Sequence, residues 1–479
     1  MKMAYKNVNS RNKNRYKEYS VITYFFFALF VALMVYFAYF QIVKSEEFIN
    51  SPYNSLQDLF SKRVVRGKIV SSDGEVLAET KVDSNGNETR SYPKGRVYSH
   101  VVGYSIKGKS GLENTANFNL LRSHQFVLEQ IANDISDKKN IGDNVVTTLD
   151  NRLQNVAYSA LGDYDGAAIV MQPSTGKILA MVSKPDYDPN TLSQNWETVS
   201  GEGSTALLNR ATQGKYTPGS VFKIFTALEY YKEHPNDYED YSYTCTGSIT
   251  NEGHTIRCAG NEVHGTVNLA QSFAESCNGS FSNIGLEINN NKLNELCNSM
   301  LFNKSLPVGF ESTKSTFSLS KSDADALTMQ TCIGQGNTLV SPLHMVMVSS
   351  AICNNGVLMR PYLVDHVDSH TGNIVEEYTP KQYGSLITKG ESKFLQGLMR
   401  DVVTEGTGSK LAGQSYDAYG KTGTAQISDV SDTTNAWFVG YAKKKGYEDI
   451  AIAVVVEKSG TGSGYAVPVA KAVFDTYFN

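Results

Sequence analysis

The chain contains 479 residues, more than one ordinary domain holds, and this length predicts two or three domains. The net charge is -4 at pH 7, from 44 basic and 48 acidic side chains. Such a chain has no broad basic surface to neutralise phosphates, so nucleic acid is not expected as a partner. The hydrophobic fraction of 41% supplies enough apolar material for a globular core.

The N-terminal segment predicts a membrane anchor. Residues 1–20 form a basic tail with six lysine and arginine side chains against one acid, Glu18, and residues 21–40 carry no charge. Twenty helical residues span about 30 Å, the hydrocarbon thickness of a bilayer, so a transmembrane helix is expected over 21–43. The positive-inside rule keeps the tail cytoplasmic and places the rest of the chain outside. The alternative, a cleaved signal peptide, usually ends in a small-x-small site, which "FAYFQIVKSEE" does not contain.

The remainder predicts an α+β multidomain protein in two parts. Residues 44–150 are polar and broken by "SSDGE", "DSNGN" and "YPKG", which favours a small α/β pedestal of short strands and hairpins. Residues 151–479 begin with an amphipathic helix and a hairpin, "GAAIVMQPSTGKILAMVS". They end with two strands, "AWFVGYA" and "DIAIAVVVE", and a closing helix. Helical segments are expected around 219–232, 267–276 and 342–353. Strands first and last with helices between them predict a mixed antiparallel sheet flanked by helices.

The spacing of the six cysteines does not indicate a metal site. Cys245 and Cys258 bracket a Gly/Thr-rich loop and either form a disulfide or remain free, since the space outside the membrane permits disulfides. The other four cysteines lie in helical or apolar contexts and are interpreted as buried thiols. His254 and His264 are interpreted as ordinary loop histidines. No zinc-site spacing is found, and neither a metal nor another cofactor is expected.

The segment "YTPGSVFKIFTALEYY" places a serine and a lysine in the first turn of a predicted helix. Pro218-Gly219 is a turn that begins a helix, and Ser220 and Lys223 lie one turn apart, so their side chains can meet. A serine at a helix N-terminus can attack a carbonyl if a neutral lysine takes its proton. An ordinary lysine pKa of about 10.4 leaves only about 0.04% neutral at pH 7. We therefore expect burial and a neighbouring cation to lower the pKa of Lys223.

Two further motifs follow downstream. In "ESCNGS", Ser276 offers a hydroxyl to relay a proton, and Asn278 an amide to hold a substrate amide or the lysine. Taken alone, the motif is better interpreted as a helix C-terminal cap by Asn278. In "YGKTGTAQ", Lys421 supplies a cation, Thr422 and Thr424 supply hydroxyls for a carboxylate, and Gly423 allows close approach of a ligand.

The order S-x-x-K, S-x-N, K-T-G resembles that of the penicillin-binding proteins and serine β-lactamases. "TPGSVFKI", "SCN", "KTGTAQ", "GAAIVMQPSTGKILAMVSKPDYDPN" and "CIGQGNTLVSPLHMVMVSSAICNNGVLMRPYLV" are similar to class B penicillin-binding proteins of a compact, short-pedestal type. These are monofunctional peptidoglycan D,D-transpeptidases with a β-lactamase-like catalytic domain. The pedestal segment "RGKIVSSDGEVLA" also resembles the family, although Ser72 stands where arginine is usual.

The resemblance implies a role for each motif residue. Ser220 attacks the D-Ala–D-Ala carbonyl, Lys223 is the general base, and Ser276 relays a proton to the leaving amine. Asn278 holds the peptide amide. The backbone N–H groups of Ser220 and Thr424 form the oxyanion hole.

The resemblance also implies the partners. Lys421, Thr422 and Thr424 grip the terminal carboxylate of a peptidoglycan stem peptide on lipid-II-derived glycan strands, and β-lactams inhibit by acylation. A SEDS-family glycosyltransferase is the expected membrane partner. Alternatives are a D,D-carboxypeptidase or β-lactamase of the same fold, which use water as the acceptor, or a non-catalytic membrane scaffold for a lipid-II polymerase.

Overall fold

The computed structural model describes residues 2–41, 61–428 and 431–479. It divides into two units, Met1–Phe60 and Ser61–Asn479. In the first unit, helix α1 runs over Lys2–Tyr39, and its part from Tyr19 is long and apolar enough to cross a membrane. Phe25, Phe26 and Phe27 are 62–64% exposed along it, which suits lipid better than water. This agrees with the predicted anchor up to residue 39, while its predicted end at residue 43 lies outside the described residues.

The second unit contains a six-stranded sheet in the pedestal region, with the strand order β15-β14-β6-β2-β3-β4. Its strands are β2 (Ile69–Val70), β3 (Val76–Val82), β4 (Glu88–Ser91), β6 (Asn144–Thr147), β14 (Val364–Asp368) and β15 (Ile374–Glu377). The short strands and hairpins predicted here are present. However, β14 and β15 lie after residue 150, so the pedestal sheet recruits strands from far along the chain.

Smaller elements complete the pedestal and its surroundings. A parallel pair joins β1 (Val64–Val65) to β5 (Asn140–Ile141), and an antiparallel pair joins β13 (Val357–Met359) to β16 (Gln382–Ser385). The pedestal helices are α2 (Ser99–Val102), α3 (Gly111–Thr115), α4 (Asn117–Leu121) and α5 (Val127–Ile135).

A buried ion triad explains the "RG" of the pedestal segment. The Glu113 carboxylate is fully buried and accepts from Arg66 Nε at 2.6 Å and from Arg90 Nε at 2.7 Å. Burial by itself would raise the pKa of Glu113, but the two guanidinium groups outweigh it and lower that pKa. At Gly67 a Cβ would collide with the carbonyl oxygen of Asp143. The arginine thus binds the α3 carboxylate, and the glycine lets two backbones touch.

The C-terminal region is built on a five-stranded antiparallel sheet with the order β17-β18-β19-β7-β8. Its strands are β7 (Gly166–Met171), β8 (Ile178–Lys184), β17 (Asp417–Ser428), β18 (Ser431–Lys443) and β19 (Ile450–Val456). The predicted hairpin is β7 and β8, and the two predicted C-terminal strands are β18 and β19. The first and last parts of the region therefore meet in one sheet, as predicted.

Helices cover both faces of this sheet. Alternate strand residues such as Ala168 and Ile452 pack with α6 (Asn151–Ala160) and α15 (Val467–Phe478). The intervening residues, such as Ile169 and Ala453, pack with the wholly buried helix α13 (Pro342–Cys353) on the other face. This alternation follows from the two-residue period of a strand. The predicted helices at both ends and at 342–353 are confirmed.

The remaining elements form the helical side of the C-terminal region. The helices are α7 (Leu192–Val199), α8 (Lys223–Glu233), α9 (Leu269–Ala274), α10 (Asn278–Glu287), α11 (Asn290–Ser299), α12 (Asp325–Cys332) and α14 (Lys389–Thr404). Two small hairpin pairs lie between α8 and α9: β10 (Ser248–Asn251) with β11 (His254–Arg257), and β9 (Tyr243–Cys245) with β12 (Gly265–Val267).

Candidate active site

Ser220 lies in a tight turn that leads into helix α8. Gly219–Phe222 is a 3-10 helix, and the α-helix begins at Lys223. The prediction that Ser220 and Lys223 share the first turn of one α-helix is therefore wrong, because Ser220 lies in the 3-10 turn that precedes it. Gly219 has φ +55°, and its N–H donates to Gly334 O at 2.8 Å. A Cβ on Gly219 would come within 2.8 Å of Thr424 O, so the serine turn rests directly on the backbone of β17.

Lys223 is completely buried at the start of α8. Its Nζ donates to Ser276 O at 2.6 Å and to Asn278 Oδ1 at 2.8 Å, and it lies 3.3 Å from Ser276 Oγ. Burial lowers the pKa of Lys223 to about 7, against a smaller raising effect of nearby thiol groups. The predicted lowering is confirmed, and burial, not a neighbouring cation, is its main cause. Near pH 7 the amine is therefore neutral in about half of the molecules.

Residues 276–278, which we call the loop 276–278, comprise the end of the connection from α9 and the first residue of α10. Ser276 has φ +60°, a left-handed conformation that is uncommon for a residue with a side chain. Cys277 caps α10, its Sγ accepting from Ser280 N at 3.4 Å. Asn278 is the first residue of α10, so its interpretation as a helix C-terminal cap is wrong. Its Nδ2 donates to Arg257 O at 3.0 Å, which fixes the amide so that Oδ1 faces Lys223.

Strand β17 forms the edge of the central sheet and carries the third motif. Lys421 is completely buried, and its Nζ donates to Thr422 O at 3.2 Å. Burial, followed by repulsion from Lys223, holds the pKa of Lys421 well below its ordinary value. Since repulsion disfavours two charged amines in one site, it favours states in which only one of the pair is protonated. A Cβ on Gly423 would lie 3.0 Å from Pro218 O, a tight contact, so glycine lets the strand pass this close to the serine turn without a shift.

The sequence reasoning missed two contacts that position these residues. Thr407 Oγ1 lies 2.6 Å from Thr422 Oγ1, and Gly462 N donates to Thr424 Oγ1 at 3.3 Å. Thr407 lies in "EGTGSK", where the two flanking glycines are a turn signal but not a signal of a site. The paired residues stand 15 and 38 positions apart on different elements, so local sequence patterns do not reveal these contacts.

The structure thus brings the three motifs to one place. Lys223 contacts Ser276 and Asn278 directly, and the Ser220 turn packs on β17 beside Gly423 and Thr424. The rings beneath the two lysines, Phe281 under Lys223 and Phe273 under Lys421, are 6.1 Å apart. Among the described residues, Ser220 Oγ has no hydrogen-bond partner, so the nucleophile candidate is not held by another side chain.

Comparison with known proteins identifies the family. The family described as "Penicillin binding protein transpeptidase domain" matches residues 166–475, and "Penicillin binding protein A dimerisation domain" matches residues 66–145. The chain belongs to the penicillin-binding protein transpeptidase family.

Curated relatives and solved structures match most of this chain. The peptidoglycan D,D-transpeptidase PbpA of Mycolicibacterium smegmatis is 30% identical over 447 residues, which cover 87% of this chain and 89% of the relative. The solved D,D-transpeptidase domain of a peptidoglycan glycosyltransferase from Eggerthella lenta is 30% identical, with a TM-score of 0.77, and covers 86% of this chain and 98% of that one. Penicillin-binding protein A from M. tuberculosis, solved as an imipenem acyl-enzyme, is 26% identical, with a TM-score of 0.77, and covers 88% and 100%.

Proposed function

We propose that this chain is a serine D,D-transpeptidase that crosslinks peptidoglycan stem peptides and is acylated by β-lactams. The observation that carries the proposal is the buried Lys223 amine with its lowered pKa, held by the second motif one turn from Ser220. The third motif lies against the same serine turn. Family membership and the transpeptidase named among its relatives support the same activity.

In this proposal the reaction is a two-step acyl transfer. Ser220 Oγ attacks the D-Ala–D-Ala carbonyl, and its proton passes to the neutral Lys223 Nζ. The C–N bond breaks, and the proton reaches the leaving D-alanine amine through Ser276 Oγ, which lies 3.3 Å from the lysine. An amine of a second stem peptide then attacks the ester, forms the crosslinking amide and returns the proton to Ser220. The N–H groups of Ser220 and Thr424 supply the oxyanion hole.

Substrate binding completes the electrostatics of the site. The terminal carboxylate of the stem peptide binds Lys421, Thr422 and Thr424 on β17, and this opposite charge favours the protonated form of Lys421. A charged Lys421 in turn keeps Lys223 neutral, because the two amines repel each other. Binding of the correct peptide end therefore prepares the base.

The same proposal covers topology and partners. Residues 1–20 form a cytoplasmic tail, 21–43 a single membrane span, 44–150 the pedestal and 151–479 the catalytic domain outside the membrane. The apolar helix α1 and the basic tail support this orientation. A SEDS-family glycosyltransferase in the same membrane would supply the glycan strands.

Intact-mass measurement on the full chain in detergent tests the activity. After incubation with benzylpenicillin we expect one stable adduct on the Ser220 peptide, absent in Ser220→Ala. If no β-lactam formed an adduct, the enzymatic function would be refuted and the non-catalytic membrane scaffold would be the remaining alternative. Rapid loss of the adduct would indicate a hydrolase. With a stem-peptide mimic and a D-amino acid acceptor, release of D-alanine without exchange would indicate a carboxypeptidase.

A further inference from the structure

Four potential metal ligands converge at the second motif, and one of them is the middle residue of that motif. They come from four segments: the end of β9, the residue after β11, the residue before β12 and the cap of α10. We call them the thiol–imidazole cluster, which consists of Cys245, Cys258, His264 and Cys277. Their ligand atoms all lie within 4.8 Å of one another.

The distances within the cluster fit a tetrahedral ion. Cys245 Sγ lies 3.6 Å from Cys258 Sγ, and Cys258 Sγ lies 3.8 Å from Cys277 Sγ. His264 Nδ1 lies 3.4 Å from Cys245 Sγ. A tetrahedron with metal–sulfur bonds of ~2.3 Å has sulfur–sulfur edges of ~3.8 Å, close to these values. A disulfide would use only two of the three sulfurs and would leave the imidazole without a role.

The surroundings of the cluster are those of a metal site. All three thiols are nearly or fully buried, and the His264 side chain is only 4% exposed. Backbone N–H groups point at two of the sulfurs at 3.4 Å, from Gly247 to Cys245 and from Ser280 to Cys277. Such donors stabilise thiolates. The second imidazole nitrogen of His264 lies 3.8 Å from the exposed Glu262 carboxylate, which is beyond hydrogen-bond distance but places a negative charge on the outer side of the ring.

We propose that the thiol–imidazole cluster binds one Zn²⁺ ion, which fixes the loop 276–278 against the base. Three thiolates and one imidazole fill all four coordination positions of a tetrahedral ion, which is the ligand set of a structural zinc site. Cys277 lies between Ser276 and Asn278, the two residues that bind Lys223 Nζ. Cys277 is therefore a positioning residue for the proposed reaction. The expectation from sequence that no metal is bound is replaced by this proposal.

Metal content tests the site independently of catalysis. The full chain purified in detergent is expected to contain about one zinc per molecule and, after exchange, to show the thiolate-to-cobalt absorption band of bound Co²⁺. Cys258→Ser should lose both signals, whereas Cys297→Ser, at a buried thiol outside the cluster, should keep them. A wild-type chain that takes up neither ion, or whose non-reduced peptide map shows a Cys245–Cys258 disulfide, would overturn the proposal, whether or not the variants fold.

The positioning role, which rests on the proposed function, is tested by removing and restoring zinc. We expect the zinc-free chain to be acylated by penicillin at least about 10-fold more slowly at saturation, because a displacement of about 1 Å can cost far more than this. The dissociation constant of the non-covalent complex should stay unchanged, and added zinc should restore the rate. Full-rate acylation without zinc would overturn the positioning role. Zinc binding without any acylation would overturn the enzymatic function and leave the metal site standing.

Discussion

The substitution Asn278→Asp adds a negative charge beside the proposed base and leaves the size of the side chain almost unchanged. The Asn278 Oδ1 atom accepts from Lys223 Nζ at 2.8 Å, so a carboxylate oxygen would lie at the same distance from the amine. At an effective dielectric constant of about 20, a unit charge at this separation is worth roughly 6 kcal/mol, or about four pKa units. The pKa of Lys223 would return from about 7 to the ordinary range for lysine.

The consequence is a shift of the pH profile. In the wild type, the acylation rate should rise about ten-fold per pH unit below pH 7 and change only about two-fold between pH 7 and pH 9, because the amine must be neutral to accept a proton. Raising the pKa moves that requirement to alkaline pH. The variant should be acylated at least about 100-fold more slowly at pH 7, and its rate should still rise about ten-fold per unit up to pH 9.

Stopped-flow acylation with a chromogenic cephalosporin between pH 6 and pH 9 measures this effect. Asn268→Asp is the matched control, since Asn268 is the exposed cap of α9 and aspartate caps equally well. The variant also loses the donor to Arg257 O, so its melting temperature must be recorded alongside. Lys421 faces the same amine and is unchanged in both variants. Unchanged acylation at pH 7, or a loss that does not recover with pH, would refute Lys223 as the base.

Three further substitutions test the structure around the site. Gly334 has φ +82°, and Gly334→Ala would drive a Cβ into the carbonyl oxygen of Gly219, so it should cost about 2–4 kcal/mol of stability and slow acylation. The control Gly372→Ala, at φ +86° in open space, should cost about 1 kcal/mol. Chemical denaturation measures both changes. Glu113→Gln leaves two buried guanidinium groups without a carboxylate, and should cost about 3–5 kcal/mol while the acylation rate is retained. Thr407→Val removes the partner of a buried motif hydroxyl, and should slow acylation about ten-fold without moving the pH profile, a result that a shifted profile would contradict.

Patterns of short range account for what the sequence predicted correctly. A pattern of about twenty residues is enough to recognise each of three elements: the apolar run before residue 40, the hairpin of β7 and β8, and the closing helix. The three motifs were located because each combines a reactive side chain with a glycine or a turn. Sequence reasoning also required a lowered lysine pKa, and the burial of Lys223 supplies it.

Pairings across long stretches of chain account for what the sequence did not predict. The pedestal sheet takes β14 from residues 364–368, because Val364 pairs with Thr147 across more than two hundred residues. The thiol–imidazole cluster depends on the pairing of Cys245 with Gly265, which brings His264 beside the first thiol. Its ligands stand 13, 6 and 13 positions apart, far from the closely spaced pairs that mark most zinc sites. The hydrophobic periodicity of the sequence does not predict which residues of two distant strands pair with each other.

The geometry of the nucleophile depends on backbone contacts more than on side-chain bonds. Gly219 lies so close to the carbonyl of Thr424 that a Cβ would collide with it, and its N–H donates to Gly334 O, so the turn carrying Ser220 is held between two main chains. A hydroxyl held in this way keeps its lone pairs free for attack, and the buried Lys223 needs no ion pair with it. The stability cost of burying that amine, at the start of α8, and of the left-handed Ser276 falls where α8 meets the loop 276–278. Fixing that loop from behind, by the proposed zinc ion, offsets the cost without placing another group in the substrate's path.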